Sequence, residues 1–310
     1  MLIDEHEFVV DVAAKFYSAI RISGWFHHRD DPLAEVVLVA DDILAARSAV
    51  GTPGSGVEAT LGQDKGFWLQ ALLKRERIEG LQVRFKARSG WTCEVGVDEL
   101  IADRLKRFPS VALDRRFRDA VAAIEGCRVL DIGGRDRSQI DLSATFEGSN
   151  VTVLDILPGA NVDVVGDAHR IGSLFPPEYF DAVYSAAVFE HLLMPWSVVT
   201  QLSRVLKTGG LVLVGTHQTL GLHDPPWDYW RFSDMAWDAL FNKHTGFEIV
   251  ERAMDHEEYV IPFLCRPGKE DAERSVGFEA SAVLARKIGQ CGLSWDVAVA
   301  DIVRTSYPTD

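Results

Sequence analysis

Hydrophobic and polar residues alternate with a period of two in the first part of the chain. In residues 81–87 apolar and polar side chains alternate, and the alternation resumes in residues 91–97 after a glycine-containing turn. Two such runs predict an antiparallel hairpin with one buried face. Residues 19–26 and 34–40 are rich in β-branched and aromatic residues, which favours two further strands. We therefore expect a small, all-β sandwich-like domain over residues 1–97.

The pattern changes twice beyond this domain. Apolar residues recur at helical spacing on both sides of Pro109, which predicts a helical connector over residues 98–126. Short apolar runs then alternate with helical stretches, as in a parallel sheet with crossover helices. We expect this α/β domain over residues 127–290 and a tail over 291–310, in which residues 294–304 have a helical pattern. The predicted strands of the α/β domain are residues 128–132, 151–155, 163–165, 182–185, 211–215, 248–252 and 278–285.

Composition and charge narrow the class of protein. The 310 residues are 47% hydrophobic and 25% charged, which is typical of a globular protein of about two domains. The formal net charge of −14 disfavours nucleic acid as a partner. The four cysteines lie far apart, which disfavours a zinc ribbon or a disulfide framework and favours a reducing compartment. An acidic N-terminus and the lack of a long apolar run predict a cytoplasmic protein without a membrane span.

The residues at the carboxyl ends of the predicted strands carry the candidate chemistry, because an open parallel sheet binds ligands there. The first strand leads into Asp131 and two adjacent glycines. A dinucleotide fingerprint that starts at Gly133 needs two further glycines, where the chain has Arg135 and Ser138. This disfavours a nicotinamide-dependent oxidoreductase, whereas Asp131 favours a ligand with a cationic group. Asp155 ends the second strand, where an acid can accept hydrogen bonds from ribose hydroxyls.

Five segments along the chain form an ordered pattern: VLDIGGR, VTVLDI, VVGDAHR, FDAVYSAAVFEHL and VLKTGGLVLVGTH. In this order they resemble a class I S-adenosylmethionine-dependent methyltransferase, over about residues 112–288. The resemblance implies a doubly wound, Rossmann-like α/β sheet, with S-adenosylmethionine as cofactor and S-adenosylhomocysteine as product. The chain departs from the family pattern at Arg135 and Arg137, which stand in place of glycines. The resemblance assigns Asp131, Gly133 and Gly134 to the methionine part, Asp155 to ribose, Asp167 and Ala168 to adenine, and Ser185 and Ala186 to the surroundings of the sulfonium. Ile156, next to Asp155, is also predicted to bind the cofactor.

The segment after the fifth strand, residues 216–233, is unusually aromatic. Its His…Pro…Asp-Tyr-Trp-Arg-Phe string resembles methyltransferases associated with bacterial surface polysaccharide and glycolipid synthesis. Aromatic faces stack on sugar rings, and charged side chains bind hydroxyls or carboxylates. Alternatively, these aromatic residues form a small core of their own, with the arginine paired to an acid. The residues predicted to bind the acceptor are Trp227, Tyr229, Trp230 and Arg231.

Transfer to a hydroxyl profits from a general base that titrates near neutral pH, and histidine is the usual choice. We rank His223 first, His217 second and His191 third as this base. The fourth strand lacks the Asn-Pro-Pro-aromatic tetrad that the superfamily uses on amide and exocyclic amine nitrogens, which disfavours a nitrogen acceptor. No metal ligand is assigned, although a divalent ion held by His217, His223, Asp224 and Asp228 stays open.

The sequence therefore predicts methyl transfer from S-adenosylmethionine to a hydroxyl of a sugar, glycan or glycolipid precursor. Two alternatives stay open. One is methylation of another small metabolite or of a protein side chain. The other is a binding or scaffold protein whose methyltransferase fold has lost activity, because Arg135 lies in the glycine turn. The expected partner is a small-molecule or glycan acceptor, and the sequence is compatible with a homo-oligomer.

Overall fold

The chain folds into two compact units, Met1–Arg107 and Phe108–Asp310. The computed structural model describes residues 2–3, 6–16, 19–28, 30–40, 43–47, 49–50, 66–72, 80–135, 146–259, 276–295, 298 and 302. The boundary between the units falls inside the predicted connector, residues 98–126. The first helix of that segment belongs to the N-terminal unit and the second to the C-terminal unit. No helix in the described ranges is long and apolar enough to cross a membrane.

The N-terminal unit contains two antiparallel sheets that share one hydrophobic core. One sheet has the strand order β1-β2-β3-β7-β6 and the other β5-β4-β8-β9, and buried residues of both sheets, such as Ile22 and Val83, pack together. The strands are β1 (Leu2–Ile3), β2 (His6–Phe16), β3 (Ala19–His27), β4 (Leu33–Ala40), β5 (Ile43–Arg47), β6 (Ala49–Val50), β7 (Gly66–Leu72), β8 (Gln82–Ala87) and β9 (Thr92–Gly96). Helix α1 (Val97–Lys106) follows β9 directly.

The predicted hairpin is confirmed. Strands β8 and β9 pair antiparallel with Phe85 opposite Cys93, and Gly90 adopts a φ of +96° in the turn between them. A positive φ is strained for a residue with a Cβ atom, which explains the glycine. Val83, Phe85 and Ala87 on alternate positions of β8 are buried, so one face of the hairpin packs on the core. The expected strands over residues 19–26 and 34–40 are β3 and β4.

The C-terminal unit is a seven-stranded mixed sheet in the order β12-β11-β10-β13-β14-β16-β15. Strands β10 to β14 pair in parallel, whereas β16 pairs antiparallel with both β14 and β15. The strands are β10 (Arg128–Ile132), β11 (Asn150–Asp155), β12 (Val164–Val165), β13 (Phe180–Ala186), β14 (Leu206–His217), β15 (Phe247–Tyr259) and β16 (Val276–Lys287). The helices are α2 (Pro109–Ala122), α3 (Ile171–Leu174), α4 (Pro195–Val205) and α5 (Ala236–Leu240). Each of the seven predicted strands lies on one of these strands, and the Rossmann-like fold is confirmed.

Helices cover both faces of this sheet because successive side chains of a strand point to opposite faces. Val129 packs with Phe117 of α2 on one face, whereas its neighbour Leu130 packs with Val198 and Leu202 of α4 on the other. The strand order reverses between β10 and β13, and ligands of open α/β sheets bind at the carboxyl ends beside such a reversal. This reversal sets the place of the candidate site.

Most of the helical pattern predicted over residues 294–304 lies outside the described residues.

Phe117 provides a test of the packing of α2 on the sheet. Its ring is fully buried against Phe146 and Tyr184, so Phe117→Ala removes buried contacts and leaves a cavity. We expect the free energy of unfolding to fall by about 3–5 kcal/mol in urea denaturation. Val111, on the same helix, is 44% exposed, and Val111→Ala should change it by less than about 0.5 kcal/mol. Equal effects of the two substitutions would contradict this packing.

Candidate functional site

The turn after β10 brings the backbone close to a buried acid. Gly133 adopts a φ of +79°, and a Cβ atom there would lie 2.2 Å from the side chain of Val188. A Cβ atom at Gly134 would lie 2.2 Å from a carboxylate oxygen of Asp131. The side chain of Asn161 donates a hydrogen bond of 2.7 Å to the carbonyl oxygen of Gly134. Two adjacent glycines therefore suffice for the turn, although the residue that follows them is not glycine.

Asp131 is a buried carboxyl group whose ionised form is unfavourable. Asp131 is 2% exposed. This burial raises the pKa of its carboxyl group to about 6, and the negative charge of Asp155 contributes further to the rise. Within the described part of the chain, no cationic side chain pairs with Asp131. A positively charged ligand group at this place would favour the carboxylate form.

The side chain of Arg135 lies next to the carboxylate of Asp155, the last residue of β11. Its Nε atom is 3.5 Å from Oδ1 of Asp155, and this oxygen also accepts the backbone N–H of Leu157 at 2.8 Å. The stem of Arg135 packs on Gly159, where a Cβ atom would come within 2.8 Å of it. The arginine that replaces the family's glycine thus occupies the position where Asp155 is expected to bind ribose.

Asp167 begins the short 3-10 turn 168–170 after β12. Its Oδ1 accepts the backbone N–H of His169 at 2.9 Å and lies 2.7 Å from Nδ1 of the same residue. Burial opposes ionisation of Asp167, but the hydrogen bonds and charge of His169, with Arg170, outweigh it and lower the pKa of Asp167. Asp167 is therefore an ionised N-cap, and both of these contacts use Oδ1. Its neighbour Ala168 is buried.

The end of β13 is lined by small residues. Ser185 is buried, and its hydroxyl donates to the carbonyl oxygen of Ile132 at 3.3 Å. Ala186 at the strand end is exposed, and the N–H of Ala187 is tied to the neighbouring strand β14. Ile156, beyond the end of β11, is half-buried. The hydroxyl of Ser185 is thus used in a hydrogen bond to the adjacent strand β10. The small side chain of Ala186 leaves space beside the end of β13.

The three histidines predicted as candidate bases converge on one buried carboxylate, Glu190. Glu190 lies on a 3-10 turn (Phe189–His191) shortly after β13, and its Oε2 accepts the hydroxyl of Thr216. Its Oε1 lies 3.3 Å from Nε2 of His217. The same oxygen lies 3.9 Å from Nε2 of His191 and 3.9 Å from Nε2 of His223. These two Nε2 atoms are 3.2 Å apart.

A half-buried ion pair fixes the segment that carries His223. Asp228 accepts the backbone N–H of His223 at 2.9 Å and binds both terminal nitrogens of Arg231, at 2.6 and 2.7 Å. The hydrogen bonds of Arg231 hold the pKa of Asp228 well below its usual range, although burial opposes this, and Asp228 in turn raises the pKa of Arg231. Arg231 also donates to three backbone carbonyls of the segment. Arg231 is thus paired to an acid, as in the alternative interpretation of this segment.

The aromatic residues of the same segment close over the Glu190 turn. The carbonyl oxygen of Trp227 lies 2.8 Å from Nδ1 of His191. The backbone N–H groups of Tyr229 and Trp230 both donate to the carbonyl oxygen of Glu190, at 2.8 and 3.2 Å. Burial raises the pKa of the Tyr229 hydroxyl. Trp230 keeps 37% of its surface exposed, so part of its ring faces solvent.

Glu190 lies at the centre of the histidine cluster, and the sequence pattern did not single it out. Its signal in the sequence is a Glu-His pair that follows a strand end inside an otherwise apolar run. Asp228, considered as a metal ligand with His223, is instead held by Arg231. The three histidines therefore lie around Glu190, whereas Asp228 contacts Arg231 and Nδ1 of His223.

Comparisons with known proteins give one family match and several similar solved structures. Residues 130–214 match the family described as "Methyltransferase domain". No curated protein matches the chain. A SAM-dependent methyltransferase from Archaeoglobus fulgidus is 18% identical, over 60% of this chain and 98% of that one, with a TM-score of 0.42. A putative methyltransferase from Bacillus halodurans is 18% identical, over 56% and 97% of the two chains, with a TM-score of 0.41.

The family match and the sheet agree on the nature of the C-terminal unit. The matched residues run from β10 to β14, the strands whose carboxyl ends carry Asp131, Asp155, Asp167 and Ser185. The strand order reverses inside this region, as a nucleoside-binding α/β sheet requires. The C-terminal unit therefore has a Rossmann-like fold in which residues 130–214 match the methyltransferase-domain family, and this match supports S-adenosylmethionine as the cofactor.

Proposed function

We propose that this methyltransferase transfers the methyl group of S-adenosylmethionine to a hydroxyl oxygen of a sugar or sugar-containing acceptor. The observation that carries the proposal is the position of the histidines. Register places Ile132 opposite Ser185 and Ser185 opposite Val214, so the carboxyl ends of β10, β13 and β14 lie side by side. The glycine turn follows the first of these ends, and His217 ends the third. A methyl donor in the turn would therefore face a set of basic groups.

The acids at the strand ends suit the parts of the cofactor. Asp131 is the buried carboxylate without a cationic partner among the described residues, and the positively charged methionine end of the cofactor supplies one. Asp155 is placed for the ribose hydroxyls, once Arg135 has moved from it. Asp167 has Oδ2 left for the adenine amino group, beside the small side chain of Ala168. Gly133 and Gly134 allow the close approach of the methionine part.

His223 is the proposed proton acceptor. Its Nδ1 lies 3.3 Å from the carbonyl oxygen of Gly221 and 3.4 Å from Oδ2 of Asp228. Because both of these oxygens only accept hydrogen bonds, Nδ1 carries the proton of the neutral ring and Nε2 carries the lone pair. His217 and His191 complete the basic surroundings of the acceptor hydroxyl.

The proposed transfer is a single displacement. The acceptor oxygen forms a bond to the methyl carbon while the bond from that carbon to sulfur breaks. The bonding pair stays on sulfur, so the products are S-adenosylhomocysteine and the methyl ether. The hydroxyl proton passes to Nε2 of His223 and from there to water. Positioning of the two reactants contributes much of the rate, since the sulfonium is already a good leaving group.

The aromatic segment supports a sugar-like acceptor. Trp230 exposes part of its ring beside the histidine cluster, and its ring lies edge-on to Trp196, with centroids 5.8 Å apart. Exposed aromatic faces stack on the apolar faces of sugar rings. Trp227 and Tyr229 are half-buried on the same segment. Arg231 binds Asp228 through both terminal nitrogens and so stabilises the segment that carries this aromatic surface.

The pKa of Asp131 predicts a pH dependence of cofactor binding. The pKa of about 6 in the free protein means that Asp131 is protonated at pH 5 and ionised at pH 7. If the carboxylate binds the cationic end of S-adenosylmethionine, calorimetric affinity at pH 5 should be about tenfold weaker than at pH 7. Asp131→Asn should weaken the binding of S-adenosylmethionine at pH 7 and abolish the difference between pH 5 and pH 7. The control Asp238→Asn, at an exposed residue, should leave both the affinity and its pH dependence unchanged. A dependence retained in Asp131→Asn would remove this role.

The contact between Arg135 and Asp155 predicts that the arginine competes with the cofactor. Ribose hydroxyls must replace the guanidinium at Asp155, which costs part of an ion pair. Arg135→Ala should therefore bind S-adenosylhomocysteine about three- to tenfold more tightly, a gain on the order of 1 kcal/mol. Arg116→Ala, which removes the exposed pair with Glu251, serves as the control. Weaker binding in Arg135→Ala would instead place the arginine among the cofactor contacts.

Removal of the proposed proton acceptor tests the reaction itself. A general base contributes about 10²–10⁴-fold, so His223→Ala should lower kcat at least about 100-fold. Formation of S-adenosylhomocysteine would be measured against a panel of monosaccharides and glycan acceptors. Affinity for S-adenosylhomocysteine should stay within about twofold of wild type, because His223 belongs to the acceptor side. The exposed His244 provides the matched control, His244→Ala. Wild-type turnover in His223→Ala would exclude it as the base.

A further inference from the structure

The tautomers of two histidines follow from their hydrogen-bond partners. Nδ1 of His191 lies 2.8 Å from the carbonyl oxygen of Trp227, and Nδ1 of His223 faces the carbonyl oxygen of Gly221. A carbonyl oxygen accepts and never donates, so both neutral rings carry their hydrogen on Nδ1. Both Nε2 atoms therefore present lone pairs, and they point at each other across 3.2 Å.

A third electron-rich atom completes this arrangement. Oε1 of Glu190 lies 3.9 Å from each of the two Nε2 atoms. Glu190 is fully buried, and Oε1 has no hydrogen-bond partner among the described residues. A buried carboxylate oxygen without a donor is costly unless a cation compensates its charge. Oε1 of Glu190 and the two Nε2 atoms thus surround one point at which a cation would be stabilised.

We propose that Glu190, His191 and His223 form a site for a divalent transition-metal ion of the Zn²⁺ type. The ligand atoms of the three residues lie within 4.8 Å of one another. Ligands of a tetrahedral zinc ion at about 2.0–2.2 Å are roughly 3.4 Å apart, which is close to the distances between the three atoms. Two imidazole nitrogens and one carboxylate oxygen suit zinc and its first-row neighbours rather than Mg²⁺ or Ca²⁺.

The outer contacts of the three residues are those of a metal site. Each Nδ1–H group is directed at an oxygen acceptor, which orients a ring that ligates through Nε2. The second oxygen of Glu190 accepts the hydroxyl of Thr216, which orients the carboxylate. Asp228, paired with Arg231, holds the backbone of His223. The segments that supply the ligands are therefore fixed before an ion binds.

Three protein ligands leave one position of a tetrahedral ion for another group. His217, whose Nε2 is 3.3 Å from Oε1 of Glu190, stands beside that position. Metal binding itself does not depend on methyl transfer. Its use in the reaction rests on the proposed function: the ion would bind the acceptor oxygen and lower the pKa of its hydroxyl. His223 would then be a ligand, and the proton would pass to His217.

Titration of the chelator-treated protein with Zn²⁺ alone tests the site. We expect one Zn²⁺ per chain with a Kd of about 1 μM or tighter, measured by calorimetry and by metal analysis after dialysis. His191→Ala and Glu190→Gln should weaken binding at least about 100-fold, since each removes a ligand. His244→Ala provides the exposed control. Co²⁺ bound in place of Zn²⁺ should give the visible absorption of a tetrahedral ion, and His191→Ala should lose it.

The outcomes separate this proposal from the proposed function. Absence of stoichiometric Zn²⁺ in wild type, with intact binding of S-adenosylhomocysteine, would overturn the metal site and leave His223 as base. Zn²⁺ binding that survives in His191→Ala would also overturn it, because the ion would lie elsewhere. Circular dichroism of each variant shows whether a loss of binding is a loss of folding. If Glu190→Gln unfolds, His191→Ala decides.

Discussion

The burial of one carboxylate, Glu190, organises the end of β13 and the segments around it. A carboxylate taken out of water is stabilised by hydrogen-bond donors or by cations. Thr216 donates to one oxygen, and His217 lies nearest to the other. The backbone carbonyl of the same residue accepts the N–H groups of Tyr229 and Trp230. One residue thus joins the end of β13, the end of β14 and the aromatic segment.

A second group of side chains at this end of the sheet consists of acids, which would attract a cation. Asp131, Asp155 and Asp167 follow neighbouring parallel strands, so the sheet itself brings them to the same end. Burial makes the ionisation of Asp131 unfavourable, whereas His169 favours that of Asp167. Under the proposed function these acids hold the cofactor and the histidines face the acceptor, so the methyl group passes from one group of side chains to the other.

The strand pattern predicted most of the fold, because buried parallel strands are short apolar runs that differ clearly from amphipathic helices. It did not predict that β16 runs antiparallel, since direction depends on pairing and not on composition. The three histidines were found by residue type and place in the motifs. Their convergence on Glu190 was not, because the four side chains come from three segments, the turn that holds Glu190 and His191, the end of β14 and the segment after it, which meet only in space. The pairing of Arg231 with an acid was one of the two interpretations of the segment, and its partner, Asp228, lies only three residues earlier in the chain.

We expect the cofactor and the histidine cluster to face each other at the carboxyl end of the parallel strands. A crystal structure of the protein with S-adenosylhomocysteine tests it most directly. We expect the ribose hydroxyls on Asp155 with Arg135 displaced, and the sulfur directed at the space beside His217 and His223. Sulfur directed away from the histidines, or separated from them by protein atoms, would contradict the account.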